Sequence, residues 1–258
     1  MAHGCEGMDL AAIERAAVAS WPALEATVID GWLARVSSGG SVRANTVSAL
    51  DYSGTDLDRS IAAVTAFYRS RGSVPRFTIT QVSQPSDLDQ RLEAAGWERG
   101  GDHVTMAKMV DGGEGCCEAS GLADVLSVVP TDQPTAGWMA VYLAGLSESR
   151  RAVAPQLVSR VPQPRTFFAC VRGGEVIASG LSAIDGRLAS VQCMATSIQA
   201  RRVGAARAIL RAIERTAVSK GCRRLYLQTE LDNTSAVSLY VRAGFAVAGR
   251  YHVRTLVG

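Results

Sequence analysis

Two stretches of this 258-residue chain end in the same way 148 residues apart, and this repetition limits the possible folds more than any other feature. Ala95-Gly96-Trp97-Glu98-Arg99-Gly100-Gly101 and Ala243-Gly244-Phe245-Ala246-Val247-Ala248-Gly249 each stop a short helix at glycine and bring an aromatic residue into the next strand. Each then places a second glycine five residues after the first. Self-similarity of this kind predicts a duplicated supersecondary unit. In the first half, helix signals at 10–20, 57–70 and 88–95 alternate with β-rich runs at 27–36, 76–82 and 104–110. Asp56 and Ser86 are the expected N-caps, and Gly72 and Gly96 the expected stops. In the second half, apolar segments at 138–146 and 153–158 precede strands at 166–171, 175–181 and 188–194. A helix at 202–220, a strand at 223–229, a helix at 234–243 and a strand at 245–256 complete the chain. Alternation of this kind predicts a mixed α/β fold.

The glycine- and acid-rich run from Asp111 to Glu118 breaks the apolar periodicity and is expected to be a linker, here bounded at 111–120. It separates a first domain at 9–110, preceded by an extension at 1–8, from a second at 121–258. Composition agrees: 27 basic and 24 acidic side chains leave a formal charge of +3, and 47% of residues are apolar, which excludes disordered and collagen-like chains. The longest stretch without a charge runs over 133–147, shorter than the ~18 residues of a membrane span. Glu14 and Arg15 interrupt the one apolar N-terminal run, so no secretory signal is expected and the protein is expected in the cytoplasm. All basic residues but Lys108 and Lys220 are arginines, spread along both halves as a solvated surface, and no nucleic-acid partner is expected. Cys5, Cys116, Cys117, Cys170, Cys193 and Cys222 lack metal-ligand spacing, and His3, His103 and His252 are too few for a histidine-rich site, so no metal is expected.

The segment from Leu188 to Leu210 carries most of the chemistry. A strand runs into the turn Arg201-Arg202-Val203-Gly204-Ala205-Ala206, which opens a helix with the apolar stripe Ala206, Ile209, Leu210, Ile213 and Ala217. The first turn of a helix presents unpaired N–H groups at the positive end of the macrodipole and suits a phosphate or diphosphate. Small residues at Gly204, Ala205 and Ala206 let such a group reach the backbone, and Arg201, Arg202 and Arg207 add countercharge. No Gly-Lys-Ser/Thr follows and a full Gly-x-Gly-x-x-Gly is missing, so this is neither a Walker loop nor a dinucleotide loop. Farther on, Asn233, Ala236 and Tyr240 have the spacing of one helix face.

Together the two segments resemble the GNAT superfamily of acyl-CoA-dependent N-acetyltransferases. Arg201 to Ala206 matches its Gln/Arg-x-x-Gly-x-Gly/Ala loop, and Asn233 to Phe245 its Asn-x-x-Ala-x-x-Leu-Tyr-x-x-x-Gly-Phe signature. The likeness is firm over 166–256 and thinner back to Gly121, and Tyr251-His252-Val253-Arg254 resembles the last strand of many bacterial members. Before the linker, the repeated ending and the element order resemble tandem members whose first copy has degenerated. The resemblance implies a GNAT fold built as two GNAT-like halves packed together. It also implies acetyl-CoA as co-substrate and direct transfer of the acetyl group, in a ternary complex, to the primary amine of a small molecule or peptide. A monomer or a homodimer is expected.

By the same resemblance, strand 188–195 splays from strand 223–229 to admit pantetheine, which the main chain of Met194, Ala195 and Thr196 would pair with. Arg201, Arg202, Val203, Gly204, Ala205 and Ala206 would hold the diphosphate, Asn233 would hold the cofactor's arm from the other side, and Tyr240 would protonate the departing thiolate. Where many members place a glutamate on the strand before the loop, this chain has Gln192. Glu230 is the nearest acid and the catalytic candidate, with His252 and water as the alternatives. Trp138, Tyr142, Arg150 and Arg151 could read an aromatic or anionic acceptor, but the preferred expectation is a core stripe and a solvated face, with the first half shaping the acceptor side. Two other functions fit the same motifs: an acyl-CoA-sensing module without turnover, and an aminoacyl-type tandem transferase, which would need a transfer-RNA surface. Amine-dependent CoA release separates the enzyme from the sensor.

Overall fold

A computed structural model describes residues 9–110 and 126–257. The expected extension at 1–8, the linker at 111–120 with Cys116 and Cys117, and residues 121–125 lie outside the described residues. The first half comprises α1 (Leu10–Ala19), β1 (Glu25–Ile29), β2 (Trp32–Val36), β3 (Val47–Ser48), α2 (Leu57–Arg69), β4 (Arg76–Thr80), α3 (Leu88–Ala94) and β5 (Glu98–Met109). The second begins with β6 (Ser127–Thr131), α4 (Ala136–Ala144), α5 (Glu148–Arg160), β7 (Arg165–Arg172), β8 (Glu175–Asp185), β9 (Leu188–Ser190) and β10 (Gln192–Thr196). It closes with α6 (Ala205–Ser219), β11 (Arg224–Glu230), α7 (Thr234–Arg242) and β12 (Ala246–Thr255).

The repeat is longer than its glycine-marked ending. Helices α2 and α6 start at Leu57 and Ala205, strands β4 and β11 at Arg76 and Arg224, and strands β5 and β12 at Glu98 and Ala246, each pair 148 residues apart. The endings also share their backbone geometry. Gly96 and Gly244 take φ of +79° and +88°, and Trp97 N donates to Leu92 O as Phe245 N donates to Tyr240 O, both at 3.0 Å. A left-handed residue after the last helical turn lets the chain reverse while satisfying the terminal carbonyls, and glycine adopts it without a Cβ clash.

Twelve strands form one sheet in the order β1-β2-β3-β4-β12-β5-β11-β9-β8-β7-β6, with β10 paired to β8. The two halves exchange their closing strands. Strand β5, which ends the first half, pairs with β11 of the second, while β12 pairs with β4 of the first. The exchanged strands meet at the centre, where β5 and β12 run antiparallel. Arg254 ties the exchange down: its Nε donates to Asp89 of α3 at 2.7 Å and its Nη1 to the Trp97 carbonyl at 3.2 Å.

In β7, Phe167 and Ala169 face Trp138, Leu157 and Val158 of α4 and α5, whereas Phe168 and Cys170 face Ile209 and Ile213 of α6. A strand covered on both faces accounts for a continuous apolar run where a half-exposed strand would alternate. On β8, Gly180 lets α6 approach, since a Cβ there would lie 2.4 Å from Ile209 Cγ2.

Local signals shift several expected boundaries. The run at 27–36 is a hairpin, because Asp30 and Gly31 both take positive φ and turn the chain. Asp87, not Ser86, caps α3, without a side-chain bond, whereas Asp56 caps α2 through its carboxylate to Arg59 N at 3.1 Å. Helix α6 starts at Ala205, because Arg202 and Gly204 are left-handed. Its buried stripe therefore holds Ala205 and Ala212 beside Ile209, Leu210, Ile213 and Ala217, with Ala206 at its rim. Strands β3 and β6 had no periodic signal, since pairing partners define such short edges.

Candidate active site

The expected strand at 188–194 is broken, and the break opens a cleft. Strand β9 pairs in parallel with β11 through Leu188, Ala189 and Ser190. Cys193 then takes φ of +51°, the register shifts between Gln192 and Ala195, and β10 continues along β8 alone. A β-bulge bends the strand that carries it. Past Tyr226, β11 pairs with β5 alone, so the strands part and the β10 edge toward β11 has no ladder partner among the described residues. Met194, Ala195 and Thr196 lie on that edge. A cavity of about 380 Å³ opens there, lined from the second half by Gln192, Met194, Asn233, Ala236 and Tyr240.

Next to the slot, α6 starts without a side-chain cap. Arg202 and Gly204, at φ of +69° and +90°, bracket Val203 and turn the backbone into the helix. Alternating conformations of this kind create an anion-sized concavity of N–H groups, and the helix start adds its dipole. Arg201 and Arg202 are exposed beside it.

Asn233, Ala236 and Tyr240 all reach the cavity, as their shared face implied. Asn233 Oδ1 is engaged in capping α7 through Ala236 N at 3.2 Å, so its remaining hydrogen-bonding group is the amide NH₂. Tyr240 is buried beside Phe245, and its hydroxyl has no hydrogen-bond partner among the described residues. Burial pushes that phenol up to about 12, which keeps the proton on it at neutral pH.

Glu230 is the one carboxylate among the described residues lining the cavity, and Arg150 Nη2 meets it at 3.4 Å. His252 is absent from the lining: its Nε2 lies 2.9 Å from Asp89 Oδ1, outside the cleft. Gln192 is buried, with Nε2 donating to Ser20 O and Ser190 Oγ and Oε1 without a partner among the described residues. Trp138 is wholly core and donates to Gly180 O at 3.0 Å, and Arg151 serves the Leu146 carbonyl, whereas Tyr142 and Arg150 line the cavity. Burial pushes the Cys193 thiol, beside Tyr142, up to about 12, so at neutral pH it is no thiolate.

The first half contributes Trp21, Ser41, Val42, Arg43, Thr78 and His103 to the same cavity. Sequence reasoning missed these residues because nothing local marks them, and the strand exchange brings His103 there. Among the described residues, the first half shows no matching slot at the 148-residue offset. Where the second half has Asn233, Ala236 and Tyr240, the first has Pro85, Leu88 and Leu92 at the same offset, with both leucines fully buried. Asp56 stands where Gly204 stands, and its carboxylate already occupies the start of α2. Gln84 N donates to Ala49 O at 2.7 Å, tying the residue just past β3 to the loop that follows β4.

A parted strand pair, an uncapped helix start and a buried tyrosine on the following helix, set in a large mixed sheet, have the arrangement of the GNAT N-acetyltransferase fold. The family described as "Probable histone acetyltransferase Rv0428c C-terminal" matches residues 8–254, and the chain belongs to it. It is 28% identical over 251 residues to the "Uncharacterized N-acetyltransferase YobR" of Bacillus subtilis, covering 95% of this chain and 98% of that protein. It is 37% identical over 79 residues to the "Probable histone acetyltransferase Rv0428c" of Mycobacterium tuberculosis, covering 30% of this chain and 26% of that one. Among solved structures, a GCN5-related N-acetyltransferase from Kribbella flavida superposes with a TM-score of 0.69 at 14% identity over 96% of both chains. A tandem GNAT protein from the clavulanic acid biosynthesis pathway superposes with a TM-score of 0.60 at 13% identity, over 82% of this chain and 74% of the other.

Proposed function

We propose that the protein transfers the acetyl group of acetyl-CoA to a primary amine by direct attack in a ternary complex, using the second half's cleft. The observation that carries this reading is the parting of β10 from β11, which puts a free main-chain edge and Tyr240 on one cavity. Met194, Ala195 and Thr196 would pair with the pantetheine arm. Arg201 to Ala206 would hold the diphosphate, and the Asn233 amide would donate to the arm from the α7 side. Both reactants in one slot lower the entropic cost of encounter.

In the reaction the amine nitrogen attacks the thioester carbon, the N–C bond forms and the C–S bond breaks. Tyr240 gives its proton to the CoA sulfur, and the amine's surplus proton leaves to Glu230 or through water. The burial that weakens Tyr240 as an acid also raises the basicity of a thiolate released into the same slot, so donor and acceptor stay matched. The protonated Cys193 thiol favours direct attack over an acyl-cysteine intermediate.

Calorimetric titration of acetyl-CoA, followed by thiol release with a panel of amines, tests the reading. Binding with steady amine-dependent release supports it. Binding without release from any amine would indicate a sensor, and absent binding would overturn the cofactor site.

A further inference from the structure

The cavity continues from the slot into the first half, and there its chemistry is cationic. Arg43 lines the cleft and also a small inner pocket of about 30 Å³ that shares Thr78, Gln228 and Tyr251 with it. The Arg43 guanidinium is held by weak contacts: it lies 5.5 Å from the Trp21 ring centre, and its Nη2 is 3.5 Å from the Ala17 carbonyl. Arg35 lines the inner pocket as well, 5% exposed, with no partner at Nε and only a 3.5 Å contact from Nη2 to Ser48 Oγ. Burial, reinforced by the charge of Arg43, lowers the Arg35 guanidinium to about 10, which leaves it cationic at neutral pH.

Among the described residues, neither arginine forms an ion pair. The one carboxylate in the inner pocket, Glu14, is committed elsewhere: Oε1 accepts from Thr105 Oγ at 2.6 Å and Oε2 from Gln228 Nε2 at 3.0 Å. Burial raises the Glu14 carboxyl, against the Thr105 and Gln228 hydrogen bonds and the charge of Arg43. At the cleft, Arg150 already has Glu230. Two guanidiniums without contact counterions in a partly desolvated pocket are costly unless an anion completes them.

We infer that the first half supplies an anion subsite centred on Arg43 and backed by Arg35, and that the acceptor is an amine that also carries a carboxylate. This rests on the acetyl-transfer reading for its amine, while its anion rests on the first-half pocket alone. The geometry of an arginine fork suits a carboxylate. A polyamine or a lysine-rich peptide would instead bring cations against Arg43. The products are an N-acetylated acid and CoA, by the bond changes given above.

The test compares acids with their amides: glycine with glycinamide, β-alanine with β-alaninamide and L-phenylalanine with L-phenylalaninamide. Phosphoethanolamine, spermidine and a lysine-rich peptide are run beside them. The amine of each amide is the less basic, so intrinsic chemistry favours the amide at neutral pH. In the wild type the acid is expected to exceed its amide by about tenfold or more in kcat/KM, mainly through KM, as for a charged hydrogen bond. Arg43→Gln brings that ratio to about one with acetyl-CoA affinity unchanged, and Arg43→Lys restores part of it. A ratio unmoved by Arg43→Gln, or a preference for amides, spermidine, the basic peptide or phosphoethanolamine, overturns the proposal. Thermal shift by N-acetylglycine provides a readout without turnover. A shift in the wild type that Arg43→Gln abolishes supports the subsite even if acetyl-CoA fails to bind, which would defeat the transferase reading alone; no shift with either protein, and no acid preference, overturns the subsite.

Discussion

His103 and Tyr251 stand 148 residues apart and stack on each other, with ring centroids 4.7 Å apart and planes within 11° of parallel. They are also Cα partners in the β5–β12 ladder. Positions at the 148-residue offset face each other here, on the local twofold of the antiparallel strand pair. Both rings line the cleft. The cleft therefore lies on the seam between the two halves, and the first half supplies one of its walls.

Separation of the halves should abolish the fold of both. In a fragment of residues 121–258, β11 loses β5, and β12 loses β4 and β5, leaving long unpaired edges. Circular dichroism and size exclusion of that fragment should show an aggregated or unfolded chain. Co-expression with residues 1–120 should restore a soluble complex, and a stable active fragment on its own would contradict the exchange.

Tyr240→Phe should lower kcat by about 10²- to 10⁴-fold, the usual contribution of a positioned acid, while acetyl-CoA affinity stays within about twofold of wild type. Because burial pushes the phenol up to about 12, the ratio of wild-type to variant kcat should stay level between pH 6 and about 10. Steady-state kinetics across that range would reveal any slope.

A carboxylate beside the α6 start should weaken acetyl-CoA binding without harming the fold. Gly204 cannot serve for this, since its φ of +90° strains any side chain. Ala206 sits in the first helical turn, where an acid favours the helix dipole by about 0.3–1 kcal/mol. Ala206→Glu should therefore match or exceed the wild-type Tm and weaken acetyl-CoA binding by at least tenfold in calorimetry.

Glu14→Gln should stabilise the protein at neutral pH. Desolvation raises the Glu14 carboxyl in the folded state, outweighing the Thr105 and Gln228 hydrogen bonds and the charge of Arg43. A raised folded value means that this group's favourable contribution is complete below the unfolded pKa and is lost as pH rises through the folded one. The variant's Tm should exceed that of wild type by a few degrees at pH 7–8, with the difference closing toward pH 4 in a thermal-shift series.

Most elements, and the shared helix face of Asn233, Ala236 and Tyr240, were legible in sequence because local rules govern them. Asp56 can cap its own helix, Gly96 and Gly244 can end theirs, and Asn233, Ala236 and Tyr240 must share a face once 234–242 is helical. Long-range pairing decided the rest. Nothing near β12 states that it will lie between β4 and β5 rather than beside β11. Nor does the apolar run at 188–194 state that it will split at Val191, since the break depends on which neighbour each residue pairs with. The cleft wall carrying Arg43 and His103, with Arg35 in the inner pocket behind it, follows from that pairing: periodicity along one chain specifies which face is buried, while the contacts between sheet partners, 148 residues apart at His103 and Tyr251, arise only when the whole sheet closes.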